Sequence, residues 1–205
     1  FSDTISQTTF TLSNSIFDIN VAQTQAGALN LFNANSTLTN NLFMNSLNLD
    51  SGTTGGAGGA ISINVGDSTS REVNLTNNTI VNNAAPIGAG ISTFTSGPGL
   101  ESTLLVNLQN NIIINSLGND YEVESGSPQV VSLGGNIGSD ASTQGVLLAS
   151  TDQNNVGDVE DVGFVSTDDD DFQLLPTSIA VNAGVATNAP ATDLTGLPRD
   201  DMPDV

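Results

Sequence analysis

The chain has 205 residues and a formal net charge of −20, with 22 acids facing only two cations, Arg71 and Arg199. It lacks Lys, His, Cys and Trp. This excludes a basic surface for nucleic acid, attraction to anionic membranes, disulfides and thiolate metal sites, and catalysis by Ser-His-Asp or Cys-His. No apolar run approaches the roughly 18 residues of a membrane helix, so no membrane insertion is expected of these residues.

The hydrophobic fraction is 37% but the aromatic fraction only 4%. That suits a narrow core of Leu, Ile, Val and Ala, surrounded by Asn, Ser, Thr and Gly, which favour turns and ladders. The chain begins at Phe1 with no initiator Met and no signal-like segment, and is expected to be part of a longer or processed product.

In chain order, one motif recurs: Leu, polar, Asn or Gly, polar, aliphatic. It appears as Leu12-Ser-Asn14-Ser-Ile16, Leu38-Thr-Asn40-Asn-Leu42, Leu75-Thr-Asn77-Asn-Thr-Ile80, Leu108-Gln-Asn110-Asn-Ile112 and, degenerate, Leu133-Gly-Gly135-Asn-Ile137. Successive Leu are 26, 37, 33 and 25 residues apart. Leu and the following aliphatic suggest period-2 strands. A Gly/Ala cluster follows (Ala26–Leu29, Gly58–Ile61, Gly88–Ile91), then a second alternating strand such as Ala60–Asn64 or Gly90–Phe94. Gly, Asn and β-branched residues break every helical window. Units of this size cannot bury their own apolar side, but stacked units share a continuous core.

These features predict an all-β fold, a right-handed parallel β-helix over residues 1–150, with loops of variable length at one corner, as between Leu47 and Gly59. Leu12, Leu38, Leu75 and Leu108 should stack in file. Asn14, Asn40, Asn77 and Asn110 should form a structural ladder at a corner, since Asn tolerates left-handed backbone and stacked amides hydrogen-bond. Ligand contact is the other reading of these four. The Gly clusters are not phosphate loops: no Lys follows them. Three matches to the glycosylation pattern, at Asn35, Asn74 and Asn77, are of the kind expected by chance in so Asn- and Thr-rich a chain.

Over residues 151–205 the repeat fades, Pro accumulates and twelve of the 22 acids gather. This predicts an irregular acidic capping segment packed on the solenoid end. Asp158, Asp161 and Asp168, Asp169, Asp170 and Asp171 are candidate Ca2+ ligands, since calcium takes six to eight oxygens. Their spacing matches neither an EF-hand nor a calcium β-roll, and a solvated acidic loop is the competing reading. No cofactor is required by either.

The run Asp161-Val-Gly-Phe164, Asp171-Phe-Gln-Leu174, Ser178-Ile-Ala180-Val-Asn182-Ala-Gly184, Asp193-Leu-Thr-Gly196-Leu-Pro198-Arg199 and Asp204-Val205 resembles the end of bacterial right-handed β-helix proteins of the choice-of-anchor Q type. Ile179 stands where that pattern usually has Pro, and Asn182 where it has Asp. The resemblance covers roughly residues 158–205. It implies secreted or cell-surface bacterial proteins, often modular, with varied anchors; it implies no activity.

A uronate lyase needs a base and cationic or metal-bridged substrate binding. Arg71, read as lying in a loop beside Glu72, and Arg199, read as a structural ion pair, do not supply them. A hydrolase needs only two carboxylates, but no pair can be named and sugar-stacking aromatics are scarce. The expectation is a non-catalytic extracellular structural or adhesive module of a surface protein, sheath or filament, able to self-associate into a fibre. The alternative is a β-helix that binds a glycan or degrades polysaccharide through paired Asp.

Overall fold

The computed structural model describes residues 8–49, 58–95, 103–115 and 117–205. Its first sheet stacks β1 (Thr8–Ser13), β5 (Ala34–Thr39), β9 (Arg71–Thr76), β12 (Leu104–Gln109) and β15 (Gln129–Gly134). The second stacks β2 (Ile16–Asp18), β6 (Leu42–Met44), β10 (Thr79–Val81), β13 (Ile112–Ile114) and β16 (Ile137–Gly138). The third stacks β4 (Leu29–Phe32), β8 (Ile61–Val65), β11 (Ile91–Thr95) and β14 (Tyr121–Ser125). Between the second and third, β3 (Val21–Ala22) pairs with β7 (Leu47–Asn48), and single bridges continue the column through Ala84 to Leu117. Every pairing within these stacks is parallel. The chain is a parallel β-helix, each circuit visiting the sheets in the same order.

Leu12, Leu38, Leu75 and Leu108 are cross-strand partners in one file, as expected. The last three are 0% exposed, each removing from water apolar surface worth about 2 kcal/mol. Leu133 does not join them. Leu108 pairs with Ser132, the register then slips at a bulge, and Leu133 is turned outward. Val73 and Val106, with Phe43, Ile80 and Ile113 from the second sheet and Ile61, Ile63 and Ile91 from the third, complete the slim interior. Phe17 and Phe43 stack at 4.7 Å between centroids, carrying aromatic contact from one rung to the next.

The motif's closing aliphatic faces away from the core. Ile16, Leu42, Ile112 and Ile137 stand in one column with Thr79, on the outer face of the second sheet; the inward residue is the next one, Phe17, Phe43, Ile80 or Ile113. The apparent extra residue before Ile80 is therefore no insertion, because Thr79 occupies the outward position. Period 2 makes both faces of this strand apolar, the mark of a sheet covered on both sides.

The outer cover is the acidic segment, and it lies along the flank instead of on the end. The solenoid runs past residue 150: Gln153 bridges to Ile137, and Leu147, from the turn after the short 3-10 stretch Thr143–Gly145, plugs the core at 2% exposure. The chain then doubles back through α1 (Val159–Val162) and the antiparallel pair β17 (Phe164–Ser166) and β18 (Asp171–Leu174). Val159, Val162, Phe164, Ala180 and Val205 pack on Leu42, Met44, Val81, Ile112, Ile114 and Ile137. The first rung lies beyond this cover, and Ile16 there is 60% exposed. The loop between Leu47 and Gly59 falls partly outside the described residues.

Candidate functional site

At the corner between the first and second sheets, Asn14, Asn40, Asn77 and Asn110 all adopt left-handed backbone, with φ of 50° to 54°, and Gly135 takes the place at 73°. The expected contacts between neighbouring rungs occur from Asn40 Nδ2 to Asn14 Oδ1 (3.2 Å) and from Asn110 Nδ2 to Asn77 Oδ1 (3.3 Å). Three of them also hold the returning segment. Asn110 donates to Val185 O and accepts from Val185 N, Asn40 donates to Thr192 O, and Asn77 donates to Asp204 O.

The continuous ladder lies one residue further on, inside the wall. Asn41 Nδ2 donates to Asn78 Oδ1 (2.9 Å), Asn78 to Asn111 (3.1 Å), Asn111 to Asn136 (3.0 Å) and Asn136 to Asp152 Oδ1 (3.1 Å). The second Nδ2 hydrogen of each Asn goes backward, to the carbonyls of Leu12, Leu38, Leu75 and Leu108 respectively. Each acceptor oxygen also takes the backbone N–H of the preceding ladder residue. Every internal amide thus makes its full set of bonds and stitches three rungs.

A second ladder occupies the next corner. Ser46 N donates to Asn83 Oδ1, Asn83 N and Nδ2 to Asn115 Oδ1, and Asn115 N and Nδ2 to Asp120 Oδ1. Asp120, 0% exposed, accepts on its other oxygen from Ser139 N (2.6 Å), Ser139 Oγ (2.7 Å) and Asp140 N (3.3 Å). Burial pushes its carboxyl up to about 6 against the pull of Ser139, with Asp140 adding to the rise. Both ladders therefore end in a carboxylate, a pure acceptor that needs no further rung.

The six calcium candidates do not share one point. Asp158 and Asp168 line a depression of about 510 Å3 with Glu160, Asn45 and Asn82. Asp161 accepts from Asp158 N at the start of α1, Asp169 from Ser166 Oγ, Asp170 from Asn45 Nδ2 and Asp171 from Gln173 N.

Arg71 is not in a loop. It opens β9 on the inner side, 4% exposed, with its Nη2 3.0 Å from Asp67 Oδ2. Its Nε–H has no acceptor among the described residues. Arg199 ties the returning segment down through Asp204 O (2.8 Å) and Asn40 Oδ1 (3.4 Å), within the fields of Asp193 and Asp204.

Among the described residues, a shallow trough of about 790 Å3 lies on the outer face of the first sheet. Its floor carries Thr9, Asn35, Thr37, Glu72, Asn74 and Leu105, with Arg71 and Gln129 in the walls. From the sequence, Asn35 and Asn74 stood out only as glycosylation-pattern matches and Arg71 only as an unconvincing polyanion contact; the signal for the trough was the polar alternate positions of the Leu-motif strands. Among the described residues no helix is long and apolar enough to cross a membrane. The chain matches no family model, no curated protein and no solved structure.

Proposed function

We propose that the chain is a non-catalytic structural and adhesive module of an extracellular or bacterial cell-surface protein, of the choice-of-anchor Q kind that its tail resembles. The observation that carries this reading is the pair of Asn ladders. They lock successive rungs by side chain as well as by backbone, which suits a stiff rod displaying a fixed face, and they place the buried polar groups in structure instead of chemistry. The acidic segment supports solubility by covering the apolar flank while adding charge. Calcium is not required, and the acidic depression at Asp158 and Asp168 is a solvated surface in this reading. Self-association is expected to proceed by strand pairing at an open sheet edge.

The test has two arms. Beads coated with the chain should adhere saturably to cell or matrix surfaces, or to each other, more than uncoated beads do. Incubation with neutral and acidic polysaccharides should release no reducing ends. Lack of saturable adhesion to any surface would sink the adhesive reading. Release of reducing ends, lost on changing two facing Asp to Asn, would replace it with a hydrolase.

A further inference from the structure

We propose that the trough on the outer face of the first sheet binds an uncharged polysaccharide, laid across the strands with its hydroxyls against side chains of successive rungs. This rests on the adhesive reading and names what its contact face holds.

The trough repeats with the solenoid. Thr9, Asn35, Glu72, Leu105 and Gln129 form one outward column, and Thr11, Thr37, Asn74, Asn107 and Val131 the next. Successive rungs offer hydroxyl or amide groups every ~4.8 Å, a spacing that suits a ligand which itself repeats. The backbone of the central strands β5, β9 and β12 is already paired on both sides, so an extended peptide lying over them would find no ladder to join and, among the described residues there, little apolar surface besides Leu105.

Several of the polar groups are already held in place. Glu72 Oε1 accepts from Asn74 Nδ2 (3.3 Å) and Asn107 Nδ2 (3.1 Å), and Asn107 Nδ2 also donates to Asn74 Oδ1 (2.9 Å). Glu72 N donates to Asn35 Oδ1 (2.9 Å). Ordering these side chains in advance lowers the entropy lost when a ligand binds.

Charge selects the class of polysaccharide. Asp67 neutralises Arg71, Glu72 is exposed, and the whole chain carries −20. A uronate polymer would be repelled, whereas a neutral one loses nothing to that field. Among the described residues no aromatic ring lines the trough, so affinity comes from polar contacts and, on a surface, from many copies.

The folded chain should be tested for retention on cellulose, xylan, mannan and a β-1,3-glucan, and on polygalacturonate and alginate. Retention is expected on at least one neutral polymer and on neither acidic one. Asn107→Ala and Thr37→Glu, both on the sheet's outer face, should each reduce it tenfold or more, with the circular dichroism of the parent. No retention on any neutral polymer, retention indifferent to both changes, or preference for an acidic polymer would each overturn the proposal. Beads that still adhere to cells while failing this panel would refute the ligand alone; failure of both would remove the adhesive reading too.

Discussion

Asn136 donates its Nδ2 hydrogen to Asp152 Oδ1 at 3.1 Å, and there the longer ladder stops, because Asp152 has only acceptors to offer. Its other oxygen takes Ala149 N at 2.8 Å. The same substitution of carboxylate for amide closes the shorter ladder at Asp120.

The ladder predicts a sharp difference between adjacent motif positions. Asn111→Ala should strand donors on Asn78 and the carbonyl of Leu75, costing about 3 kcal/mol, whereas Asn14→Gly, which keeps the left-handed backbone of an exposed corner, should cost under about 1 kcal/mol. Urea unfolding of both variants checks this. Equal losses would show that the inner amides are not special.

Asp120 predicts a pH dependence with a definite sign. Its folded carboxyl is raised to about 6 from an ordinary 3.8, so the native state binds the proton more tightly than the unfolded chain. Its contribution is most favourable below about pH 4 and is lost as pH rises through 6, on the order of 3 kcal/mol in all. Other acids add their own slope, so the quantity to measure is the stability difference between the parent and Asp120→Asn, from pH 4 to 8. It should move against the parent as pH rises. A difference independent of pH would mean that the five donors hold the carboxyl low.

Removing residues 156–205 should expose Leu42, Met44, Ile112 and Ile114 together. The truncated chain is expected to bind a hydrophobic dye and aggregate, because a contiguous apolar face of this kind does not stay in water unpartnered. A monodisperse, dye-silent product would show that the segment is dispensable.

Gly59→Ala should destabilise by about 2 kcal/mol or more. An added Cβ would collide with the carbonyl oxygen of Ala89 and lie 2.9 Å from that of Ala84, both backbone atoms that cannot swing aside. Thermal unfolding measures the effect.

Dialysis against a chelator should leave the melting temperature unchanged, and added calcium should not raise it. A calcium-dependent rise, lost on Asp168→Asn, would make the depression at Asp158 and Asp168 a true metal site.

The stacking was legible in the sequence because Leu at a fixed offset from Asn recurs whatever the loop length. The inner ladder was not, because an Asn-Asn pair looks the same whichever member turns the backbone. The first rung has Ser15 in the inner position, which left only the outer Asn common to the first four rungs. Alternation assigns residues to faces, but it does not say that Leu42 and Ile112 belong to a second, external layer supplied by residues 156–205. The trough escaped notice since Thr, Asn and Glu at alternate positions look like an ordinary wetted sheet.

The sense of the ladders bears on how such a protein changes length. Each amide hands hydrogen toward the later rung and receives it from the earlier one, so the wall has a direction and a terminus. A duplicated coil spliced between β9 and β12 would meet a matching donor below and acceptor above. The same coil grafted after Asp152 would present its first Asn to a carboxylate with no hydrogen to give. Growth by internal duplication is thus favoured over extension at that tip.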